Sequence, residues 1–167
     1  YQACKKFAVD TRFQHLDTSV MQLEGEYDTA TELIRFGRPK KGRSDLKQFL
    51  ISMMVSNDGG VPLLANVIAG NKSDQTHFRE VLKRLGYSMK ASNEDIYHVA
   101  DAALYTKQNI QELDDSPIKF ITRVPSSLTE AQELFKQIPL ESMQDDDDNY
   151  KIHPLCSFYD GVKQRWL

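Results

Sequence analysis

Cysteine is scarce in this chain: its 167 residues include only Cys4 and Cys156, with no CxxC spacing. That excludes a disulfide framework and a cysteine-based zinc site, and free thiols are expected. No run approaches the roughly 18 apolar residues of a membrane span, and no basic-then-apolar leader opens the chain. A soluble, cytoplasmic protein with no membrane partner is therefore expected. There is no G-x-S-x-G elbow and no Cys-His pairing, so neither common nucleophilic arrangement is indicated. A dominant charge sign is lacking too, with 24 acidic and 21 basic residues. At 40% hydrophobic, the chain can bury one real core but hardly two.

The net charge of -3 hides an uneven distribution. Asp145 to Asp148 form an acidic run, read as a solvated loop, and setting those four aside leaves 20 acids against 21 bases. The segment RFGRPKKGRSDLK, residues 35–47, holds Arg35, Arg38, Lys40, Lys41, Arg43 and Lys47 against Asp45 alone. A phosphate backbone is attracted to such a loop, although basic runs are also common on solvated surfaces. Within it, Gly37-x4-Gly42-Arg43-Ser44 nearly spells a nucleotide-binding loop. The required lysine is an arginine, and a hairpin follows where a helix should begin, so nucleotide binding is set aside.

Hydrophobic periodicity supplies the element order. In FQHLDTSVM, residues 13–21, Leu16, Thr18 and Val20 share one face, while His15, Asp17 and Ser19 share the other. Two apolar runs, 49–55 and 61–68, flank Asn57-Asp58-Gly59-Gly60, a hairpin signal because the turn needs residues that tolerate positive φ. Phe78, Val81, Leu82 and Leu85 then fall at helical spacing, with Ser73 or Asp74 as N-cap and Gly86 as stop. A short strand ending at Asp101, a helix in TKQNIQELDD and a strand in IKFITRVP follow. The last helix is SSLTEAQELFKQI, with Ala131, Leu134, Phe135 and Ile138 on one stripe. Its capping box is Thr129 with Gln132, or Ser127 with Glu130. The order β-β-β-α-β-α-β-α describes a mixed five-stranded α/β sheet, three antiparallel strands and then two parallel, flanked by helices. Residues 1–138 form the core. Residues 139–167 read as an acidic loop and the start of a strand-rich insertion, and the ending Arg-Trp-Leu reads as an interruption.

Asp17 is out of place in a strand unless it lies exposed or finds a partner, because a buried unpaired carboxylate costs several kcal/mol. Asp101 closes a strand, where functional groups of α/β sheets collect, and its plain alternative is to cap the following helix. If the two strands are neighbours, the carboxylates approach and repel, and a divalent cation resolves the conflict. This order and the segments HLDTSVMQLEGEY, GRSDLKQFLISMMVSNDGGVPLLANVIAGNKSD, YHVADAALYTKQNI and KFITRVP, spanning roughly residues 10–138, resemble bacterial insertion-sequence transposases of the DDE superfamily. Those enzymes have a ribonuclease H-like fold.

The resemblance implies that Asp17 and Asp101 are the first two catalytic acids and ligands of Mg²⁺ or Mn²⁺, with two ions in the complete enzyme. Asp17 would bridge the ions and Asp101 would hold one. The implied activity is metal-dependent cleavage and strand transfer in cut-and-paste transposition. Its partners would be double-stranded DNA, both transposon ends and target, and a second protomer in a homodimer on that DNA. Its implied place is the bacterial cytoplasm, associated with the nucleoid. Arg38, Lys40, Lys41, Arg43 and Arg123 are the candidate DNA contacts. The family's third acid, a glutamate in a Tyr-x2-Arg-x3-Glu setting, has no counterpart here, and the family's N-terminal DNA-end-binding domain is also missing. The chain therefore reads as a truncated enzyme, with a folded but inactive remnant that binds DNA or another protomer as the alternative. His15, on the face of Asp17, is either a supporting partner of the site or a half-buried structural histidine.

Overall fold

The computed structural model describes residues 2–27, 32–38, 43–89, 95–146 and 149–167. A short helix α1 (Gln2–Lys6) precedes β1 (Phe13–Leu23), followed by β2 (Arg35–Phe36), β3 (Lys47–Ser56) and β4 (Pro62–Ala69). Then come α2 (Asp74–Met89), β5 (Tyr97–Ala100), α3 (Lys107–Asp114), β6 (Lys119–Thr122) and α4 (Thr129–Gln137). The chain continues through β7 (Gln144–Asp145), β8 (Lys151–Ile152), β9 (Leu155–Tyr159) and β10 (Val162–Trp166).

Six strands form one mixed sheet in the order β2-β3-β1-β5-β6, with β4 also on β3. The antiparallel ladders β1–β3 and β3–β4 and the parallel ladders β1–β5 and β5–β6 realise the expected arrangement. The sixth strand, β2, lies inside the basic segment read as a loop; only Arg35 and Phe36 pair, with Gln48 and Lys47. Since β1 occupies the other side of those two β3 residues, β2 lies in line with β4 on one edge. The crossing is tight. A Cβ on Gly37 or Gly70 would strike the Gln48–Gly70 contact, where the buried Gln48 amide donates to Gly70 O at 2.7 Å.

The two sheet faces differ. Leu16, Leu50 and Met54 point to the helix side, where Phe78, Val81, Leu104, Leu113 and Ile118 close the core. Polar side chains share that face, some of them tied to backbone: Ser56 Oγ donates to Asp58 O, and Gln14 Nε2 donates to Thr11 O. The opposite face is open, leaving Met21, Met53, Val67 and Ile121 about half exposed. Gly59 and Gly60 adopt φ of 69° and 60° in the β3–β4 turn, as the hairpin signal required.

Several local expectations change. Helix α2 starts as read, with Ser73 Oγ accepting from Thr76 N, but it runs through Gly86 to Met89. Gly86 therefore lies inside the helix and does not end it. Helix α4 begins after Leu128 with no side-chain cap, and Gln132 instead donates to Ser126 O, so neither capping box forms. Of its stripe only Ala131 is fully buried, and Phe135 is 76% exposed because the stripe faces a groove rather than the core. Beyond residue 139, β7–β8 and β9–β10 form two small antiparallel hairpins. Asp147 and Asp148 of the acidic run lie outside the described residues, while Asp145 pairs with Lys151 at 2.8 Å.

Candidate active site

The parallel ladder between β1 and β5 registers Phe13 with Tyr97 and ends at Leu16 with Ala100. One residue further along each strand stand Asp17 and Asp101. Asp101 keeps an extended backbone, with φ -73° and ψ 179°, so the register carries to it. Residues opposed in register point to the same face, and adjacent strands lie about 4.8 Å apart. Both carboxylates thus stand side by side on the open face, and both residues are exposed. On the other side of Asp17 is Met53, and beyond Asp101 the β6 register leads to Arg123 after the Ala100–Thr122 pair.

Local bonds fix both acids. Asp17 Oδ1 accepts from Thr18 N at 2.7 Å, and Asp101 Oδ1 accepts from Ala103 N at 2.9 Å, capping a single 3-10 turn at Ala102–Leu104. Thr122 Oγ1 donates to the Asp101 carbonyl at 2.7 Å, tying the end of β5 to β6. Asp101 thus caps this turn and not the following helix α3, whose N-cap is Thr106, and the cap engages only one carboxylate oxygen. His15 lies two residues before Asp17 on the same face, and its Nε2 is 3.0 Å from Asn57 Oδ1 in the hairpin turn.

The C-terminal hairpin is fastened just after the Asp101 turn. Tyr105 donates to Gln164 Oε1 at 2.5 Å and packs its ring tilted against Tyr159 and edge-on to Trp166, with ring centroids at 4.8 and 6.5 Å. Burial pushes the Tyr105 phenol up to about 12, keeping it protonated as that donor. At the hairpin tip, the Asp160 carboxylate accepts from Lys107 at 3.2 Å and Gln111 at 2.6 Å. Sequence reasoning missed this latch, since nothing in the spacing of Tyr105, Asp160 and Gln164 announces it. A groove of about 940 Å³ opens beside β6, lined by Phe120, Arg123, Leu134, Phe135 and Trp166 among others.

The basic candidates separate. Arg123 is exposed next to the acid pair, whereas Arg43 lies at the far end of β1, where Gln22 donates to its carbonyl. Five residues along a strand from Asp17, that is roughly 17 Å away. The Arg43 guanidinium is engaged by Asp45 at 2.5 Å and approaches Glu24 at 3.7 Å, so much of its charge is already matched. Arg38 is exposed, and Lys40 and Lys41 lie outside the described residues. No helix among the described residues is long and apolar enough to cross a membrane.

The profile of the family described as "Transposase DDE domain" matches residues 11–159. The chain belongs to the DDE transposase family. The match includes both acids and reaches into the β9–β10 hairpin. No curated protein sequence matches the chain. Among solved structures, this DDE domain is similar to piggyBac transposase in a synaptic complex with hairpin DNA. Identity is 13% over 91% of this chain and 29% of that one, with a TM-score of 0.52. It is also similar to the Mos1 transposase paired-end complex with the left transposon end, at 10% identity over 75% of this chain and 39% of that one, TM-score 0.44. The DDE domain described here thus spans well under half the length of either chain. At these identities the piggyBac likeness speaks for the fold, a mixed sheet flanked by helices.

Proposed function

We propose that this DDE domain supplies two of the acids of a transposase active site, Asp17 and Asp101 holding a divalent cation against a DNA phosphodiester. The observation that carries the reading is the β1–β5 register, which ends one residue short of both acids and sets them on the same open face. The donor set fits the cation. Each carboxylate uses Oδ1 on a backbone N–H, and neither Oδ2 has a hydrogen-bond partner among the described residues. Carboxylate oxygens are hard ligands suited to Mg²⁺ or Mn²⁺, and Mg²⁺ commonly takes one or two carboxylates and fills its octahedron with water and substrate phosphates. No group of three acidic, histidine or cysteine side chains gathers among the described residues, so the proposed site rests on the acid pair.

When bound, a cation pair supplies Lewis-acid activation of a water or 3′-hydroxyl and stabilises the leaving oxygen. The protein's part is positioning. Thr18 N and Ala103 N orient the carboxylates, and Asp17, in the middle of the sheet, and Asp101 would hold the cations. Arg123 beside the pair, with Arg38, Lys40, Lys41 and Arg43 along the basic segment, would meet DNA phosphates. The complete enzyme would cleave transposon ends and join them to target DNA, acting as a homodimer on that DNA. Residues 139–167 would begin the insertion of that enzyme.

Binding itself is the test. Titration with Mn²⁺ followed by electron paramagnetic resonance, and with Mg²⁺ followed by thermal shift, should show saturable binding to the unaltered chain. Asp17→Asn and Asp101→Asn should each abolish it while leaving the circular dichroism spectrum unchanged. Equal cation binding by the variants would refute the site. No binding by any of the proteins would favour the inactive remnant.

A further inference from the structure

We infer that the outer edge of β4 is a self-association surface, pairing antiparallel with β4 of a second copy about a two-fold axis at Asn66. Strand β4 pairs only with β3, and among the described residues no backbone hydrogen bond reaches residues 62–68 from outside that ladder. Edge strands normally carry lysine, an internal proline or a mid-strand bulge that discourages pairing. β4 has none of these over Leu64–Ala69: its proline stands at the first position, and its one register shift lies at the same end, opposite Met54 and Val55. The other edge, β6, contrasts with it, being four residues long, carrying Lys119 and bordering the groove.

A second copy is the occupant that matches the chemistry. No charged side chain lies in β4, so self-pairing opposes no like charges. A two-fold axis perpendicular to the sheet preserves its faces, so the pairing must match residues of one face with residues of the same face. Centred on Asn66, the register sets Ala65 against Val67 on the open face and Leu64 against Ile68 on the helix side. Small meets branched and aliphatic meets aliphatic. Asn66 meets its own copy, and its side-chain amide, with no hydrogen-bond partner among the described residues, gains one. Centring on Ala65 would instead set Leu64 against Asn66.

The pairing yields one continuous sheet whose open faces coincide. Asp17, Met53 and Ala65 lie in one row, so the two copies of Asp17 stand five strand spacings apart. That places both acid pairs on the same side, roughly 25 Å from each other. The edge pairing stands without the metal site; only its use in presenting two DNA ends rests on the proposed function.

Sedimentation equilibrium over a rising concentration series should show a monomer–dimer equilibrium for the unaltered chain. Val67→Lys changes a half-exposed side chain away from the acids and should raise the dissociation constant at least tenfold, with Mn²⁺ binding and thermal melting of the dilute monomer unchanged. In a Cys156→Ser background, Asn66→Cys should give a disulfide-linked dimer under mild oxidation, because a directly opposed pair brings the two Cβ atoms within about 5 Å. A chain that stays monomeric, a dimer indifferent to Val67→Lys, or an Asn66→Cys protein that does not cross-link would overturn the proposal. Retained Mn²⁺ binding in those cases would leave the acid pair standing.

Discussion

His98 makes stability depend on pH in a way that can be isolated. It lies on the helix side of β5 at 2% exposure, between Gln14 and Phe120 in the ladder, and burial lowers its pKa to about 4. In the unfolded chain it returns to about 6.5. Above that pH it is neutral in both states and has no effect. As pH falls through 6.5 the unfolded chain takes a proton that the folded chain refuses, and stability drops until the folded imidazole titrates near 4. A gap of about 2.5 units at 1.36 kcal/mol per unit gives a loss of about 3 kcal/mol. For a chain of this size that corresponds to roughly 6–12 °C in melting temperature. Urea melts of the unaltered protein and His98→Gln at pH 7.5 and 4.5 should differ in their pH dependence by that amount, since contributions from the other three histidines are common to both. A resonance assigned to the His98 imidazole of the folded protein titrating near 6.5, or identical pH dependence in the two proteins, would refute the reasoning.

Other consequences are open to measurement. Met54, 1% exposed in the core cluster, should cost about 2–5 kcal/mol on truncation to alanine, read as a lower urea midpoint at constant m-value. Gly70→Ala places a methyl against the Gln48 backbone and should destabilise by about 1–3 kcal/mol, although residue 70 touches neither acid. In chelator, Asp17→Asn should melt at or above the unaltered chain because it removes carboxylate repulsion; with excess Mg²⁺ the order should reverse. Arg123→Ala should weaken DNA binding and reduce the salt slope by about 1, whereas Arg43→Ala, already matched by Asp45, should change it less.

The parts of the fold readable from sequence are those with local causes. Alternation around Asp17 fixed which face it occupies, and Asn57-Asp58-Gly59-Gly60 fixed the hairpin because few residues accept those φ values. Asp101 could be placed at a strand end because Tyr97–Ala100 reads as a short buried strand. What stayed hidden depends on distant partners. β2 exists because Gln48 and Lys47 offer a free ladder edge, not because Arg35 and Phe36 prefer a strand. Gly86 stays helical despite its propensity, and Phe135 turns to a groove whose far wall comes from residues 143–167. For the site, the pairing of the two acids was inferred from element order, and only the register shows them side by side. The pairing of Arg43 with Asp45 was just as invisible, since a residue count cannot tell a matched cation from an available one.

The Asp160 and Tyr105 fastenings bind residues distant in sequence into a single cooperative unit. Amide protons of β9–β10 and of the 3-10 turn after Asp101 should therefore exchange with solvent together, through one shared opening event. Loosening the tip of a surface hairpin would then slacken the scaffold beneath a carboxylate that it never touches.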